Sequence, residues 1–293
     1  LTQLPKSVLV IGGGYIGCEL ATVLNGLGCQ VTVAEMLPRL VPTAAEDVSK
    51  ELLRAFKKLK IEVHVGVKVE SLQKQSGQAT ATLTGGKSVT AEKALVAIGR
   101  TLCTADLGLE NAGLKPTARG TLDVNEHCQT SVPHVYAIGD IAGKAQLAHV
   151  ASKMGLVAAA HATGRRARVN YSVIPACVFT QPEIGNVGLT EAEAAGSGRE
   201  VKCARFSYQA LGKALAMGET EGFFKIVADA KSGRVLGVHI VGSHASDIIG
   251  EAALAMQLEC TVEEIAHTIH AHPTLHEGLM ECAESWLGLG VHG

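Results

Sequence analysis

Residues 6–36 read KSVLVIGGGYIGCELATVLNGLGCQVTVAEM, and this stretch decides the fold of the first third of the chain. A short β-branched run, Val8–Ile11, leads into a glycine cluster. A helical stretch follows, and a second apolar run covers Val31–Ala34. Strand, glycine-rich turn, helix and strand in this order predict the β-α-β unit of a dinucleotide-binding domain.

Three of the glycines have the spacing G-x-G-x-x-G. Gly12 allows the tight turn, Gly14 lets the backbone approach a pyrophosphate, and Gly17 permits close packing of helix on strand. The phosphates then meet the unpaired N–H groups at the positive end of the helix dipole. Glu35 lies just past the second strand, about 20 residues beyond the motif, where a carboxylate binds the adenosine ribose hydroxyls. A 2′-phosphate would face that carboxylate, so the pattern favours NAD over NADP; a glycine-rich turn without a ligand is the alternative.

Length and composition limit the class of protein. The chain has 293 residues, is 47% hydrophobic and carries a formal net charge of −2. That length suffices for two or three domains, and the charge argues against nucleic-acid or membrane-surface partners. A locally basic run, GRRAR at 164–168, is typical of a solvated turn. No apolar run reaches the roughly 18–20 residues of a membrane span.

The cysteines and the first residue add two expectations. Eight cysteines are scattered without CxxC spacing, which predicts reduced thiols in a cytoplasmic protein. The sequence opens on Leu1 and runs straight into a strand. We therefore expect a C-terminal part of a longer protein.

The remaining patterns of the first hundred residues complete one domain. Residues 46–59 have apolar side chains on one helical face, and 61–65 are typical of a third strand. A small antiparallel meander is predicted next, and KALVAIGR (93–100) is predicted to return as a buried strand. Further on, TSVPHVYAIGD (130–140) predicts a buried strand that ends in Gly-Asp.

Taken together, VIGGGYIGCE, VAIGR, VYAIGD followed by LAH, VFTQPEIGNVG (178–188) and HAHPTLHE (270–277) resemble the pyridine nucleotide–disulfide oxidoreductase family. Within it they are most similar to the enzymes that oxidise dihydrolipoamide. The resemblance implies an α/β fold: a Rossmann-like NAD-binding domain (1–101), a central flavin-contacting segment (102–172) and an α+β dimerisation domain (173–293). It also implies that the FAD domain and its redox disulfide lie outside this sequence.

The resemblance assigns cofactor contacts residue by residue. Those implied at NAD are Gly12, Gly13, Gly14, Tyr15, Ile16, Gly17, Glu19, Glu35, Val69 and Gly99. Those implied at FAD are Asp140, which would hold the ribityl chain, and Gln146, Leu147, Ala148 and His149 at the flavin. Glu19 would pair with a lysine near the redox disulfide, outside this sequence. As a plain sequence feature, it is an acid in the first turn of the helix.

Three interpretations compete for HAHPTLHE. Thr274 and Glu277 have the S/T-x-x-E spacing of a capping box at a helix start. A metal site would use the histidines at 267, 270, 272 and 276, but Pro273 interrupts their helical spacing. The resemblance implies a third role, in which His272 is the general acid–base and Glu277 orients and stabilises its ring. An imidazole suits proton transfer near neutral pH.

The function implied for the whole protein is the NAD-linked oxidation of protein-bound dihydrolipoamide through a redox disulfide and FAD. The implied partners are a second copy in a homodimer and the lipoyl domain of a 2-oxo acid dehydrogenase complex. Residues 1–293 alone are expected to be inactive. Two alternatives stay open: a non-catalytic protein that binds NAD and dimerises, and a related disulfide reductase with another thiol substrate.

Overall fold

The structure is a computed structural model that describes residues 2–292. The chain forms two compact units. Unit 1 joins the described residues up to Gly99 with those from Pro175 onward, and unit 2 is Arg100–Ile174. Unit 1 therefore contains both the glycine-rich segment and the histidine run.

The first part of unit 1 alternates strands and helices and then forms a meander. Its elements are β1 (Ser7–Ile11), α1 (Tyr15–Gly26), β2 (Gln30–Glu35), α2 (Glu46–Lys58), β3 (Glu62–Val65), β4 (Val69–Gln75), β5 (Gln78–Leu83), β6 (Ser88–Ala91) and β7 (Lys93–Val96). β3, β2, β1 and β7 form a parallel sheet in that order, and β4, β5 and β6 form an antiparallel sheet. The predicted β-α-β unit, second helix, third strand and meander are confirmed.

β1 is apolar along its length because both of its faces are covered. Val10 packs in one buried cluster with Phe56 of α2. Leu9 points to the other face and packs with Leu83 of the meander. A parallel strand that is buried on two sides has a continuous apolar sequence instead of an alternating one.

β7 differs from the buried strand predicted over 93–100. It has four residues, Val96 at its end is 58% exposed, and Ile98 beyond it is 75% exposed. Among the described strands of its sheet, β7 pairs only with β1, so it lies at the sheet edge. An apolar run predicts burial only when the strand has neighbours on both sides, and an edge position is not visible in the sequence.

Unit 2 is built around one long helix. It contains short 3-10 helices at Leu109–Ala112 and Gly139–Ala142, followed by α3 (Ala148–Ala162). The strand predicted for 130–140 is wrong, because within residues 100–174 that segment makes only a single bridge, between Gln129 and Tyr136. A strand needs a neighbour along its length, and this part of the described chain supplies one pairing residue.

The second part of unit 1 is an antiparallel sheet with helices. Its elements are β8 (Ala176–Val178), β9 (Glu183–Gly188), α4 (Glu191–Gly196), β10 (Val201–Ser207), α5 (Gly212–Met217), β11 (Phe223–Asp229), β12 (Val235–Gly242), α6 (Ala245–Gln257), α7 (Val262–His267) and α8 (Glu277–Leu287). The strand order is β10-β11-β12-β9-β8. The α/β fold class is therefore confirmed. Within residues 2–292 no helix is long and apolar enough to cross a membrane.

One core runs through both parts of unit 1, since Val178, Ile184 and Phe223 belong to the same buried cluster as Val10 and Phe56. Large apolar side chains from strands far apart in sequence therefore hold the two parts together. Burial of this kind contributes about 1.5–3 kcal/mol for each fully buried side chain.

A buried lysine also joins the two parts. Lys225 of β11 places Nζ 2.7 Å from Asp47 Oδ2 of α2 and 2.7 Å from Glu191 Oε2 of α4. Burial lowers the pKa of Lys225, but its bonds to the two carboxylates outweigh burial and hold that pKa above its ordinary value. The cation therefore stays charged between its two partners.

Candidate active site

The turn between β1 and α1 requires glycine at two positions. Gly12 has a φ of +107°, and a Cβ added there would lie 2.3 Å from the carbonyl oxygen of Ala97. A Cβ on Gly17 would lie 1.9 Å from the carbonyl oxygen of Gly12. These contacts give the physical basis of the predicted tight turn and close helix–strand packing.

Gly14 is different, because no atom lies within 4 Å of a Cβ added there. It is the N-cap residue of α1, and its carbonyl accepts the first intrahelical bond, from the N–H of Cys18 at 3.0 Å. Within residues 2–292 the N–H groups of Tyr15, Ile16 and Gly17 have no acceptor. Three unpaired donors at the positive end of a helix, beside an open glycine, are suited to bind a phosphate group.

Glu35 ends β2 next to this turn and is buried. Its Oε2 accepts the N–H of Gly13 at 2.5 Å, and its Oε1 accepts the N–H of Leu37 at 2.7 Å. Each carboxylate oxygen has a second lone pair that can still accept a hydroxyl. The arrangement fixes the Glu35 carboxylate against the glycine turn.

The remaining NAD candidates border this turn. Ala97 approaches Gly12, which brings the segment ending at Gly99 beside the glycines. On the other side, the carbonyl of Glu35 accepts the N–H of Val67 at 3.0 Å, two residues before Val69. The loop ends that follow three parallel strands thus meet at one edge of the sheet, where ligands of open α/β sheets bind.

Glu19 lies in the second turn of α1, so its expected place in the first turn is wrong. Its Oε1 accepts the backbone N–H of Phe179 at 3.0 Å. The structure thus joins Glu19 to the segment that precedes β9.

The flavin candidates lie in unit 2. Asp140 is in the 3-10 helix Gly139–Ala142, and its carboxylate has no hydrogen-bond donor among the described residues. Leu147 is the N-cap of α3, Ala148 is its first residue, and the exposed Gln146 and His149 flank that start. A half-buried carboxylate and a helix start are compatible with a hydroxylated, phosphate-bearing ligand.

The histidine run contains one exposed ring on a fixed carboxylate. His272 Nδ1 lies 2.8 Å from Glu277 Oε1. The His272 side chain is 78% exposed, whereas that of Glu277 is 15% exposed. A neutral ring that donates from Nδ1 to Glu277 leaves the Nε2 lone pair open to a substrate.

Glu277 is held in turn by the backbone. Its Oε2 accepts the N–H of Thr274 at 2.7 Å. Burial raises the pKa of Glu277, but this bond and the bond to His272 outweigh it and hold that pKa below its ordinary value. The predicted side-chain cap is wrong, because α8 has His276 at its N-cap and the Thr274 hydroxyl has no partner among the described residues. Only the carboxylate half of the capping box forms.

A second carboxylate, Glu251 of α6, was not found from the sequence. Its Oε1 lies 2.7 Å from His270 Nε2, and its Oε2 lies 2.8 Å from His276 Nδ1. His270 is 5% exposed, and its Nδ1 faces the carbonyl oxygen of Thr268 at 2.8 Å. Both ring nitrogens of His270 therefore face acceptors, a geometry that suits the charged imidazolium. No local spacing links a glutamate on one helix to a loop that follows another.

The metal alternative has no support in these contacts. Among residues 2–292 no group of three or more His, Cys, Asp or Glu side chains is arranged to hold a metal ion. Three of the histidines instead contact Glu251 or Glu277 at hydrogen-bond distance.

Two family profiles match the sequence. The pyridine nucleotide-disulphide oxidoreductase family matches residues 1–155. The dimerisation domain of the same family matches residues 174–283. The first match covers more than half of the chain.

Named relatives are consistent with these family matches. The chain is 43% identical to a dihydrolipoyl dehydrogenase of Bacillus subtilis over all of its own length and 63% of the relative. It is 43% identical to the dihydrolipoyl dehydrogenase of Halobacterium salinarum, over 62% of that protein. The chain thus spans less than two thirds of the length of these curated relatives.

Solved structures share the fold. The crystal structure of LpdA from Mycobacterium tuberculosis has a TM-score of 0.91 at 29% identity, over 97% of this chain and 62% of that one. The flavoprotein disulfide reductase RclA of Escherichia coli has a TM-score of 0.89 at 24% identity, over 97% of this chain and 66% of that one, which shows the fold alone. From the fold, the glycine turn and these matches together, the chain belongs to the pyridine nucleotide-disulphide oxidoreductase family.

Proposed function

We propose that the whole protein oxidises dihydrolipoamide with NAD+, and that this chain supplies its NAD site and its acid–base pair. The observation that carries the proposal is the His272–Glu277 pair, an exposed imidazole held at 2.8 Å by a half-buried carboxylate. Dihydrolipoyl dehydrogenases at 43% identity across the whole chain support the substrate class.

NAD would lie on the turn between β1 and α1. The open approach at Gly14 and the unpaired N–H groups that follow fit its pyrophosphate. Glu35 would accept the adenosine ribose hydroxyls and would oppose the 2′-phosphate of NADP. Val69 and Gly99 would border the same ligand, and Gly13, Tyr15 and Ile16 would line the turn.

FAD, when bound, would receive electrons from the dithiol through a redox disulfide and pass a hydride to NAD+. Asp140 would accept a ribityl hydroxyl, because its carboxylate has no donor among the described residues. Gln146, Leu147, Ala148 and His149 would border the flavin at the start of α3. Glu19 would pair with a lysine near the disulfide.

The chemistry of the His–Glu pair follows from its hydrogen bonds. With its Nδ1 proton held by Glu277, the His272 ring presents an Nε2 lone pair. That lone pair takes the proton of a substrate S–H group, which leaves a thiolate and an imidazolium. Thiolates are the nucleophiles of disulfide exchange. Glu277 stabilises the charge that the ring acquires.

The test uses the whole protein carrying His272→Ala. Dithiol-dependent NAD+ reduction should fall by about 10²–10⁴-fold, the usual contribution of a general base, while NAD binding is retained. His292→Ala is the matched control, since His292 is another exposed imidazole on a buried glutamate, 2.7 Å from Glu281 Oε1. Near-normal turnover in His272→Ala would exclude the assignment. Loss of NAD binding as well would show misfolding instead.

The assembly is also proposed. A homodimer through residues 173–293 is supported by the match to the family's dimerisation domain. The lipoyl domain of a 2-oxo acid dehydrogenase complex is the proposed substrate carrier, and 1–101, 102–172 and 173–293 are the proposed domains. Residues 1–293 alone should show no lipoamide turnover, even with added FAD. Turnover by the purified chain would contradict this expectation.

A further inference from the structure

The basic run at 164–168 lines a cavity in unit 2. The turn follows the end of α3, and the cavity beside it has a volume of about 770 Å³. Its charged and titratable lining is His127, His161, Arg165, Arg166, Arg168 and Glu126. Three exposed guanidinium groups, two imidazoles and one carboxylate thus line an open cavity. A cavity of this size can hold a small organic molecule.

The two imidazoles are built into the wall. His127 and His161 stack with ring centroids 4.4 Å apart and an angle of 13° between their planes. His127 Nδ1 lies 2.6 Å from the carbonyl oxygen of Ala167, and His161 Nδ1 lies 2.8 Å from the Tyr136 hydroxyl. Both rings are therefore held in place, and each keeps Nε2 for other contacts. The nearest carboxylate oxygen, Glu126 Oε1, is 3.6 Å from His127 Nε2.

Among residues 2–292 the arginines of the turn form no ion pair with a carboxylate, and neither do Arg100, Arg119 and Arg199. In unit 1, Arg54 binds Glu51 and Glu221, and Arg234 binds Glu259. Within residues 2–292 the guanidinium groups of Arg166 and Arg168 contact no carboxylate. The three arginines are exposed, so water screens their mutual repulsion, and an anion held between them would lower it further.

Charge is also distributed unevenly between the two units. Residues 100–174 contain eight Lys and Arg and five Asp and Glu, although the whole chain has a formal net charge of −2. Unit 2 is therefore the positively charged part of an otherwise acidic chain. Long-range attraction favours anions there.

A simpler interpretation is that the basic residues complement the negative end of the α3 dipole and are otherwise solvated. That interpretation accounts for Arg165, whose backbone N–H donates to the carbonyl oxygen of Ala160 in the last turn of α3, at 2.9 Å. It does not account for His127, which comes from another part of unit 2 and is bonded to the turn itself at Ala167. A turn that is only solvated does not require a side chain from another segment, such as His127, to bind it.

We propose that the cavity lined by His127, His161 and the 164–168 turn binds the phosphoryl group of a small phosphorylated molecule. Arg166 and Arg168 provide the planar forks that match a tetrahedral oxyanion. The imidazole Nε2 atoms donate to it when protonated, and the bound anion offsets the repulsion between two stacked, charged rings. Glu126 opposes the anion and the hydroxyl of Tyr136 is neutral, so neither supplies the positive charge.

The probe is sulfate, because it is a tetrahedral oxyanion like a phosphoryl group and its charge does not change near neutral pH. Histidine-labelled chain 1–293 is titrated with sodium sulfate at constant ionic strength, and NMR signals of His127 and His161 are followed. We expect these two signals to move together as sulfate is added. Inorganic pyrophosphate should bind more tightly than sulfate at the same site.

Variants locate the site. Arg166→Gln with Arg168→Gln should weaken sulfate binding by about tenfold or more. The matched control, Lys115→Gln with Arg119→Gln, removes the same charge elsewhere in unit 2 and should change it less than about twofold. NAD should not displace the sulfate, which separates this site from the glycine turn of unit 1. Equal weakening in the control pair, a shift of other histidines only, or displacement by NAD would each overturn the proposal.

Discussion

The substitution Gly14→Ala should weaken NAD binding by roughly 10- to 100-fold without destabilising the folded chain. Gly14 has a φ of −72° and a ψ of −173°, which alanine also adopts, and its added Cβ would meet no atom within 4 Å. The methyl group would instead occupy the approach to the unpaired N–H groups of α1. The structure therefore separates binding from stability at this one position.

The expected magnitudes follow from these contacts. Alanine at a compatible backbone position stabilises a protein by about 0.4–1 kcal/mol through the unfolded state. Losing one hydrogen bond to a charged phosphate costs about 1.5–3 kcal/mol of binding free energy, which weakens NAD affinity by roughly 10- to 100-fold. Gly17→Ala should behave differently. Its Cβ would lie 1.9 Å from the main-chain oxygen of Gly12, and such overpacking destabilises folding by about 3 kcal/mol.

The assay is calorimetric titration of chain 1–293 with NAD+, paired with urea unfolding of each variant. Gly26→Ala is the matched control, because it lies in the same helix and its added Cβ also meets no atom within 4 Å. If Gly14→Ala binds NAD+ as tightly as Gly26→Ala, the turn is not the phosphate site. If the folded wild-type chain does not bind NAD+, the proposed contribution of this chain fails.

Three further predictions concern the folded chain. In urea unfolding, Lys225→Met should lower the free energy of unfolding by about 3 kcal/mol, because Lys225 is 11% exposed and its loss leaves a partly buried aspartate unpaired. Glu191→Gln should lower it by less than about 1 kcal/mol, because Glu191 is 57% exposed. Equal effects of the two substitutions would refute the burial argument. Burial holds the pKa of His239 below its ordinary value, so at mildly acidic pH the unfolded chain binds a proton that the folded chain does not. The free energy of unfolding in urea should therefore fall as the pH drops below about 6.5, by at most about 1.4 kcal/mol per pH unit. A flat profile, or one unchanged by His239→Gln, would contradict this. In thiol labelling, exposed Cys103 should react first, whereas Cys282 should not react in the folded chain, because burial raises its pKa to about 12; early modification of Cys282 would show that the core opens.

Much of unit 1 was predictable because its signals are local. The parallel strands, α1 and α2 have apolar periodicities that can be read within about a dozen residues. The glycine turn is equally local, since Gly12 and Gly17 are required by contacts made inside a single strand–turn–helix, apart from the carbonyl of Ala97. The errors fall where a strand depends on its neighbours. β7 is exposed at a sheet edge, and 130–140 lacks a pairing strand among the described residues.

In the histidine run, too, the sequence predicted part of the local structure and missed the rest. The spacing of Thr274 and Glu277 predicted a capping box, and the structure forms the carboxylate half of it. The other half is missing because the N-cap of α8 is His276, two residues later than the spacing suggests. His272 Nδ1 and Glu277 Oε1 lie 2.8 Å apart, and the catalytic role of this pair stays a prediction.

The sequence by itself determined which groups are present and which short segments place them: the glycines at the end of β1, the acid at the end of β2 and the histidine run before α8. Only the tertiary structure decided which distant charges meet them. Glu251 lies between His270 and His276, and Lys225 lies between Asp47 and Glu191. The physical reason is range. Backbone geometry acts over a few neighbouring residues of the chain. Burial removes water from charged groups, and a buried charge is then stabilised by an opposite charge that can come from any distance along the sequence.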